Sequence, residues 1–247
     1  MSERISAIAM LMIVLLTSAQ SICAQGIQRD EKAIATLKAM SDHLATLESF
    51  TITGASLQDN RLEAGLIVTV PNQVTLTVAR PGSLHMRQFD GQRTRELFLH
   101  KGTLTLYDAL EGYYARAKVP DSLEGGMDYA LNVLGMELPL IDMVFKDVFT
   151  RLAGSNDSVL YVTDKSLADG VDCHQLAIRI EDADVQLWVQ QNGPPLPRRI
   201  IITSKWEGGA PRFIGQMQWN TKPDIPRGAF DFSPPEGATQ IQFDSAN

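Results

Sequence analysis

Side chains that could bind a metal ion or perform acid–base chemistry are few in this sequence and lie far apart. The four histidines fall on one predicted helix and three predicted strands, without the short spacing of a metal-ligand set: His43, His85, His100 and His174. Cys173 and His174 are neighbours on a predicted strand, so their side chains would point to opposite faces and could not form a catalytic pair. The sequence therefore predicts neither an enzyme nor a bound metal ion or other cofactor.

An acidic run and the lack of signature loops also argue against a bound metal ion and against an enzyme. Residues 181–184 lie between two predicted strands and lack the spaced oxygen ligands of a calcium loop, so a solvated turn is the better interpretation. The sequence contains no nucleophile elbow, glycine-rich phosphate loop or Cys-x-x-Cys pair. Catalytic groups brought together near a cavity, such as Asp142 close to His85 or His100, would revive the enzyme hypothesis.

The first residues of the chain have the pattern of a secretory signal peptide. Arg4 precedes an apolar stretch of about 13 residues, at 5–17, which is shorter than the ~20 residues of a membrane-spanning helix. Small and polar residues follow, and we expect cleavage after Ala24, with Ser21 as the alternative. This predicts a signal peptide at 1–24 and a mature protein in the periplasm. Lipidation of Cys23 is a further alternative.

The charge and the cysteines limit the partners and the covalent structure of the mature protein. The net charge is −7, and no basic run is present, which argues against nucleic acid or an anionic membrane surface as a partner. Cleavage after Ala24 would leave Cys173 as the only cysteine, so no intramolecular disulfide could form. Cys173 lies in a strand-like run, and we expect it to be a buried structural thiol.

Apolar periodicity divides the rest of the chain into one helix and many short strands. Residues 30–47 carry apolar residues at helical spacing, and we predict an amphipathic helix there. Alternating strand patterns then follow, with Gly-containing turns such as Asp90-Gly91, at 50–54, 64–70, 73–79, 84–89, 94–100, 104–108, 113–117, 158–165, 172–180, 185–190, 198–206 and 212–219. Such a meander predicts a mainly β (α+β) domain over 25–247, in which about ten or eleven antiparallel strands curl into a half-barrel.

One apolar insertion, residues 121–152, interrupts the strands. Asp121 or Ser122 is predicted to cap a first helix that ends at Gly135, and Pro139 to start a second helix that ends near Gly154. The insertion is richer in Met, Leu and Phe than a connection needs, so we interpret it as a lid over an apolar ligand, with an ordinary core element as the alternative. The predicted ligand-binding residues are Met127, Val133, Leu134, Met136, Leu140, Met143, Val144, Phe145 and Val148.

Several motifs resemble those of the LolA/LolB periplasmic lipoprotein-carrier superfamily. The order of elements and the closing Phe-x-Phe-x-Pro-Pro-Glu-Gly at 230–237 carry this resemblance, together with 187–189 and 193–198. A closer resemblance is to a domain-of-unknown-function branch of predicted periplasmic proteins, through the segments 104–108, 113–115, 137–140, 170–174 and 186–189.

The resemblance implies a half-barrel whose concave face and helices enclose acyl chains. It also implies that Arg80, before Pro81, latches the lid; an exposed charge at the end of a strand is the alternative. The chain departs from the carrier pattern because Ser83, Leu84 and His85 follow where the carriers have an aromatic residue.

Two functions from different classes remain open at this point. The first is a periplasmic, non-enzymatic carrier or sensor that binds an acyl chain of a lipid or lipoprotein under the lid. The second is a protein-interaction or regulatory module of the cell envelope without a lipid ligand. An insertion that packs solidly, with no space beneath it, would exclude a carrier role.

Overall fold

A computed structural model describes residues 26–205 and 208–243 of the chain. The predicted signal peptide, its cleavage site and Cys23 lie outside these residues, as does position 206 at the end of a predicted strand. The described part begins with helix α1, Glu31–Thr46, whose first turn is capped by the carboxylate of Asp30. The buried face of α1 consists of Ala33, Leu37, Met40, Ser41 and Leu44. The predicted amphipathic helix is therefore confirmed.

In the part of the chain that the structure describes, thirteen strands form one curled sheet. Their bounds are β1 Ser49–Arg61, β2 Ile67–Ala79, β3 Ser83–Phe89, β4 Thr94–His100, β5 Thr103–Asp108, β6 Tyr113–Lys118, β7 Ser158–Ala168, β8 Val171–Arg179, β9 Ala183–Gln190, β10 Pro197–Ser204, β11 Arg212–Gln216, β12 Gln218–Asn220 and β13 Thr239–Ile241. The spatial order is β13-β6-β5-β4-β3-β2-β1-β11-β10-β9-β8-β7, with β12 paired to β1. All pairs are antiparallel except β13 with β6, so the predicted meander is confirmed.

The two predicted strands at 64–70 and 73–79 are in fact one strand. β2 runs through Pro71 and pairs with β1 from Ser49↔Ala79 to Arg61↔Ile67. Proline lacks a backbone N–H and is tolerated where a strand has a free side. β3 pairs with β2 only as far as Gln73↔Phe89, so Pro71 faces β1 on one side and no strand on the other.

The end of the chain adds strands that the sequence pattern did not predict. The predicted strand at 212–219 is divided into β11 and β12, both of which pair with β1. The tail then crosses the outer face of the sheet, where the Phe232 ring lies 5.3 Å from Phe98 and from Tyr114 between centroids. It ends in β13, which lies parallel to β6 and covers that edge of the sheet.

The insertion is less helical than predicted. Helix α2 covers Leu123–Asn132, a 3₁₀ turn covers Ile141–Val144, and a short helix α3 covers Val148–Leu152. The predicted second helix from Pro139 to Gly154 is wrong, because Leu140 adopts a left-handed φ of 62° and Phe145 is extended. A helix can restart only at Asp147, whose carboxylate accepts from the backbone N–H of Thr150 at 2.9 Å.

The main hydrophobic core lies on the concave side of the sheet, beneath α1 and the insertion. Inward-facing side chains of β1 to β5 and of β7 to β10 meet α1, α2 and the 3₁₀ turn there. Among the residues that the structure describes, no helix has the length and apolar character needed to cross a membrane.

Candidate functional site

The structure divides the predicted ligand-binding residues of the insertion into two groups. A buried group belongs to the core and is at most 5% exposed: Met127, Leu140, Met143, Val144, Phe145 and Val148. The others lie in residues 133–140, here called the lid loop, where Leu134 and Met136 are half-buried and Val133 is 48% exposed. Most of the insertion therefore packs as core, and the lid loop is its accessible part.

Leu140 fastens the end of the lid loop to the sheet through two glycines on neighbouring strands. A Cβ atom on Gly215 would lie 2.6 Å from Leu140 Cδ2, and one on Gly54 would lie 3.2 Å from Leu140 Cδ1. A Cβ atom on Gly54 would also meet the Gln216 carbonyl oxygen, and one on Gly215 would lie 3.0 Å from the Phe213 ring, so neither position has room for a side chain. The missing side chains thus form a notch in the concave face, and burial of Leu140 offsets the ~1–2 kcal/mol that a left-handed backbone costs.

The concave face of β3, β4 and β5 is arranged in three cross-strand rows. The deepest row is fully buried and apolar, the middle row is apolar, and the outer row is polar. In strand order the rows are Leu84–Leu99–Leu104, Met86–Leu97–Leu106 and Gln88–Arg95–Asp108. Polarity therefore increases stepwise from the core toward solvent along three adjacent strands.

A pocket of about 170 Å³ lies over the middle and outer rows. The lid loop contributes Met136, Glu137 and Leu138 to its walls, and the sheet contributes Met86, Gln88, Arg95, Leu97 and Leu106. Methionine and leucine adapt readily to apolar ligands of different shapes. The insertion is therefore not packed solidly over its whole length, because space remains beneath the lid loop.

Arg80 ties the end of β2 to three parts of the molecule. Its guanidinium donates to the Leu47 carbonyl oxygen at 3.0 Å, to the Val144 carbonyl oxygen at 2.9 Å and to the Glu124 carboxylate at 3.1 Å. The side chain is only 3% exposed. Burial lowers the pKa of Arg80 below its ordinary value, and Glu124 opposes that change. An arginine nevertheless stays charged in proteins, so it can bridge α1, α2 and the 3₁₀ turn.

Arg151 holds the insertion together from its solvent side. This α3 residue donates to Asp142 at 3.2 Å and to Asp128 at 3.3 Å, and its guanidinium lies 3.6 Å from the centroid of the Phe145 ring. Asp142 is therefore an ion-pair partner within the insertion. It is not brought together with a histidine, which was the arrangement that would have revived the enzyme hypothesis.

Two histidines that are distant in the sequence, His85 and His100, both lie next to Phe98 on the outer face of the sheet. His85 on β3 and His100 on β4 both flank Phe98 of β4, and the His85 and Phe98 rings stack with centroids 4.3 Å apart. His85 Nε2 lies 2.7 Å from a Glu96 carboxylate oxygen, a hydrogen bond that lowers the pKa of Glu96. Within residues 26–205 and 208–243 no group of three His, Cys, Asp or Glu residues could hold a metal ion.

Cys173 and His174, the remaining candidate residues from the sequence, both lie in β8 and are packed against neighbouring side chains. Cys173 is buried with Ala168 and Trp188 in a small cluster on the outer side, and burial raises the pKa of its thiol. The expected buried thiol is confirmed. His174 lies elsewhere, with its Nδ1 2.6 Å from the Tyr161 hydroxyl, and burial lowers its pKa.

A family model described as "Predicted periplasmic protein (DUF2092)" matches residues 33–244. The chain belongs to the DUF2092 family. The resemblance to a domain-of-unknown-function branch of predicted periplasmic proteins is thereby confirmed. A search of curated protein sequences returned no match for this DUF2092 chain.

Three solved structures align with most of this chain at low sequence identity. LprF from Mycobacterium bovis aligns with 81% of the DUF2092 chain and 98% of its own length at 13% identity, with a TM-score of 0.45. LppX from Mycobacterium tuberculosis aligns over 80% and 100% at 12% identity, with a TM-score of 0.40. A LolA superfamily protein from Nitrosomonas europaea aligns over 81% and 97% at 12% identity, with a TM-score of 0.41. This last structure belongs to the superfamily that the sequence resembles.

Gly54, Gly215 and Arg95 of the DUF2092 chain belong to the candidate site but were not predicted from the sequence. The glycines occupy inward-facing positions of β1 and β11, two residues from Ile52 and Phe213, and an isolated glycine inside a strand is a signal of close approach by another group. Arg95 carried no signal, because its position on the pocket rim depends on the pairing of β4 with β3 and β5.

Proposed function

We propose that this protein is a periplasmic, non-enzymatic carrier or sensor that binds an acyl chain of a lipid or lipoprotein. The binding site is the space between the concave face of β3 to β5 and the lid loop. The pocket beneath Met136 and Leu138 is the observation that supports this proposal, because five of its eight lining residues are apolar. The family description supports the periplasm as its location.

The magnitudes of burial indicate which part of the insertion moves when a ligand enters. Exposing a fully buried apolar side chain costs roughly 1.5–3 kcal/mol, so release of the six buried residues among those predicted to bind the ligand would cost about 10 kcal/mol or more. An acyl chain gains only ~0.8 kcal/mol per buried methylene. Ligand pockets commonly have volumes of about 300–1,000 Å³, so the pocket must enlarge. Movement of the half-buried lid loop alone is the less costly route.

The proposal is tested with protein exported by its own N-terminal segment and purified from a periplasm without detergent. Native mass spectrometry with lipid extraction should find a co-purifying acyl lipid, and Leu138→Asp should remove it. Leu57→Asp is the matched control, because Leu57 is 43% exposed on β1 and does not line the pocket. An apo mass, together with no uptake of a fluorescent fatty acid, would refute the proposal.

A protein-interaction module is the second candidate, and β7 favours it. This strand ends the sheet. Its start at Val159 is paired with residues 28–30, and it exposes the apolar side chains of Leu160, Val162 and Leu167. Such an edge can pair with an extended segment of an envelope protein. Under this alternative, Leu167→Asp would weaken binding to the protein partner while Leu138→Asp would not.

A further inference from the structure

We propose that the ligand is a single-chain amphiphile with an anionic headgroup and that Arg95 binds this headgroup. The inference rests on the proposed function and adds the chemical class of the ligand. It assigns the acyl chain to the middle cross-strand row and the headgroup to the outer row. A fatty-acid carboxylate is the simplest ligand of this class.

The polarity gradient sets the orientation of such a ligand. Leu97 is fully buried, and Arg95, two residues away on the same face of β4, has a side chain that is 50% exposed. A chain inserted toward Leu97 therefore places its polar end beside Arg95. The opposite orientation would bury the headgroup on the apolar row, where a polar group without a partner is costly.

Arg95 retains donors for a headgroup because its neighbour Asp108 is already occupied. One Asp108 oxygen accepts from the backbone N–H groups of Leu110 and Glu111 at 3.1 and 3.2 Å. The other lies 3.2 Å from Arg93 and 3.6 Å from Arg95. Among the described residues, the two terminal nitrogens of Arg95 have no hydrogen-bond acceptor, and a guanidinium binds carboxylate or phosphate in a bidentate manner.

The pocket wall contains one anionic side chain, Glu137, which already has a hydrogen-bond partner. The Glu137 carboxylate lies 3.4 Å from the side-chain amide of Gln58 on β1. Arg95 is the cationic side chain of the pocket wall, so an anionic headgroup beside it gains an ion pair that a neutral headgroup lacks.

Calorimetric titration with three probes of equal chain length tests the inference. The probes are laurate, which is anionic, monolauroylglycerol, which is neutral, and dodecyltrimethylammonium, which is cationic, each below its micellar concentration. We expect laurate to bind about three- to tenfold more tightly than monolauroylglycerol, as a partly exposed ion pair allows. Arg95→Gln should abolish that difference by weakening the binding of laurate.

Arg87→Gln is the matched control, because it makes the same charge change on the opposite, outer face of β3, between Met86 and Gln88. It should keep the preference for laurate. Equal affinity for laurate and monolauroylglycerol, a preference for the cation, or a preference that survives Arg95→Gln would each overturn the inference and leave the proposed function standing. Failure of all three probes to bind would refute the proposed function and the inference with it.

Discussion

The guanidinium of Arg80 donates to the carbonyl oxygen of Val144 at 2.9 Å, which joins the end of a sheet strand to the 3₁₀ turn of the insertion. Two other elements share the same guanidinium, at Leu47 and Glu124. A buried carbonyl that loses its donor pays the desolvation of the group without a compensating bond. The stability of the covered concave face therefore depends on this side chain.

Arg80→Met should lower the free energy of unfolding by about 2–4 kcal/mol, because two backbone carbonyls and a carboxylate lose their donor at once. Urea denaturation measures the loss, and hydrogen exchange should become faster at the amides of 141–152. Arg87→Met, at an exposed position on β3, should change stability by less than ~0.5 kcal/mol. Equal losses in the two variants would show that Arg80 does not hold the insertion.

Gly215→Ala should destabilise the protein by about 1–3 kcal/mol, because the added Cβ would lie 2.6 Å from Leu140 Cδ2. Leu140→Ala alone should cost about 2–3 kcal/mol through lost burial. In the double variant the smaller side chain removes the tightest of the new contacts, while the contact with the Phe213 ring at 3.0 Å stays, so the combined loss should fall short of the sum by about 1 kcal/mol. Gly215→Ala combined with Leu167→Ala is the control pair, for which the losses should add. Additive losses for Gly215→Ala with Leu140→Ala would show that Leu140 does not pack against Gly215.

Stability should fall as the pH drops from 7.5 to 5.5, in part because of His174. Burial lowers the pKa of this imidazole, and the nearby Lys32 ammonium lowers it further. The unfolded chain therefore takes up a proton near pH 6.5, before the folded protein does, and stability decreases over that interval. His174→Gln should show a smaller decrease in unfolding free energy between the two pH values. An NMR titration of His174 with a midpoint above 6.5 would reverse the sign and refute the prediction.

Phe232→Ala should release the tail from the outer face of the sheet. The ring packs against Phe98, Tyr107 and Tyr114, with centroids 5.3 to 5.4 Å away, and Arg116 lies over it. Loss of these contacts should cost about 1–3 kcal/mol and make 222–243 the first segment cleaved in limited proteolysis. Ser233→Ala, at the exposed neighbouring position, should leave the cleavage order unchanged.

The sequence pattern was sufficient to predict most strands and α1, because the position of each depends on local periodicity and on turn residues. The β3–β4 turn illustrates this, since Asp90 accepts from the N–H groups of Gln92 and Arg93 beside a left-handed Gly91. Local signals failed in the insertion. Leu140 adopts a conformation that leucine rarely takes, and it does so because a notch on distant strands accepts its side chain.

The polar part of the candidate site could not be predicted from the sequence for a related reason. Gln88, Arg95 and Asp108 become neighbours only through the register of β3 with β4 and of β4 with β5. A shift of one residue would turn Arg95 to the outer face. The apolar residues of the lid loop were recognisable from composition alone, but composition could not separate them from the buried residues of the same insertion.

The tail strand β13 has a consequence for self-association. Copies of a sheet protein polymerise without limit only when both outermost strands accept another molecule. Here one outermost strand, β13, is three residues long and is supplied by the chain itself, so it offers too few backbone groups to template a further strand. Pairing through β7 can therefore join two molecules, and the outermost strands of that pair are then the two copies of β13. Strand pairing ends there, so a protein with a long open sheet does not grow into filaments.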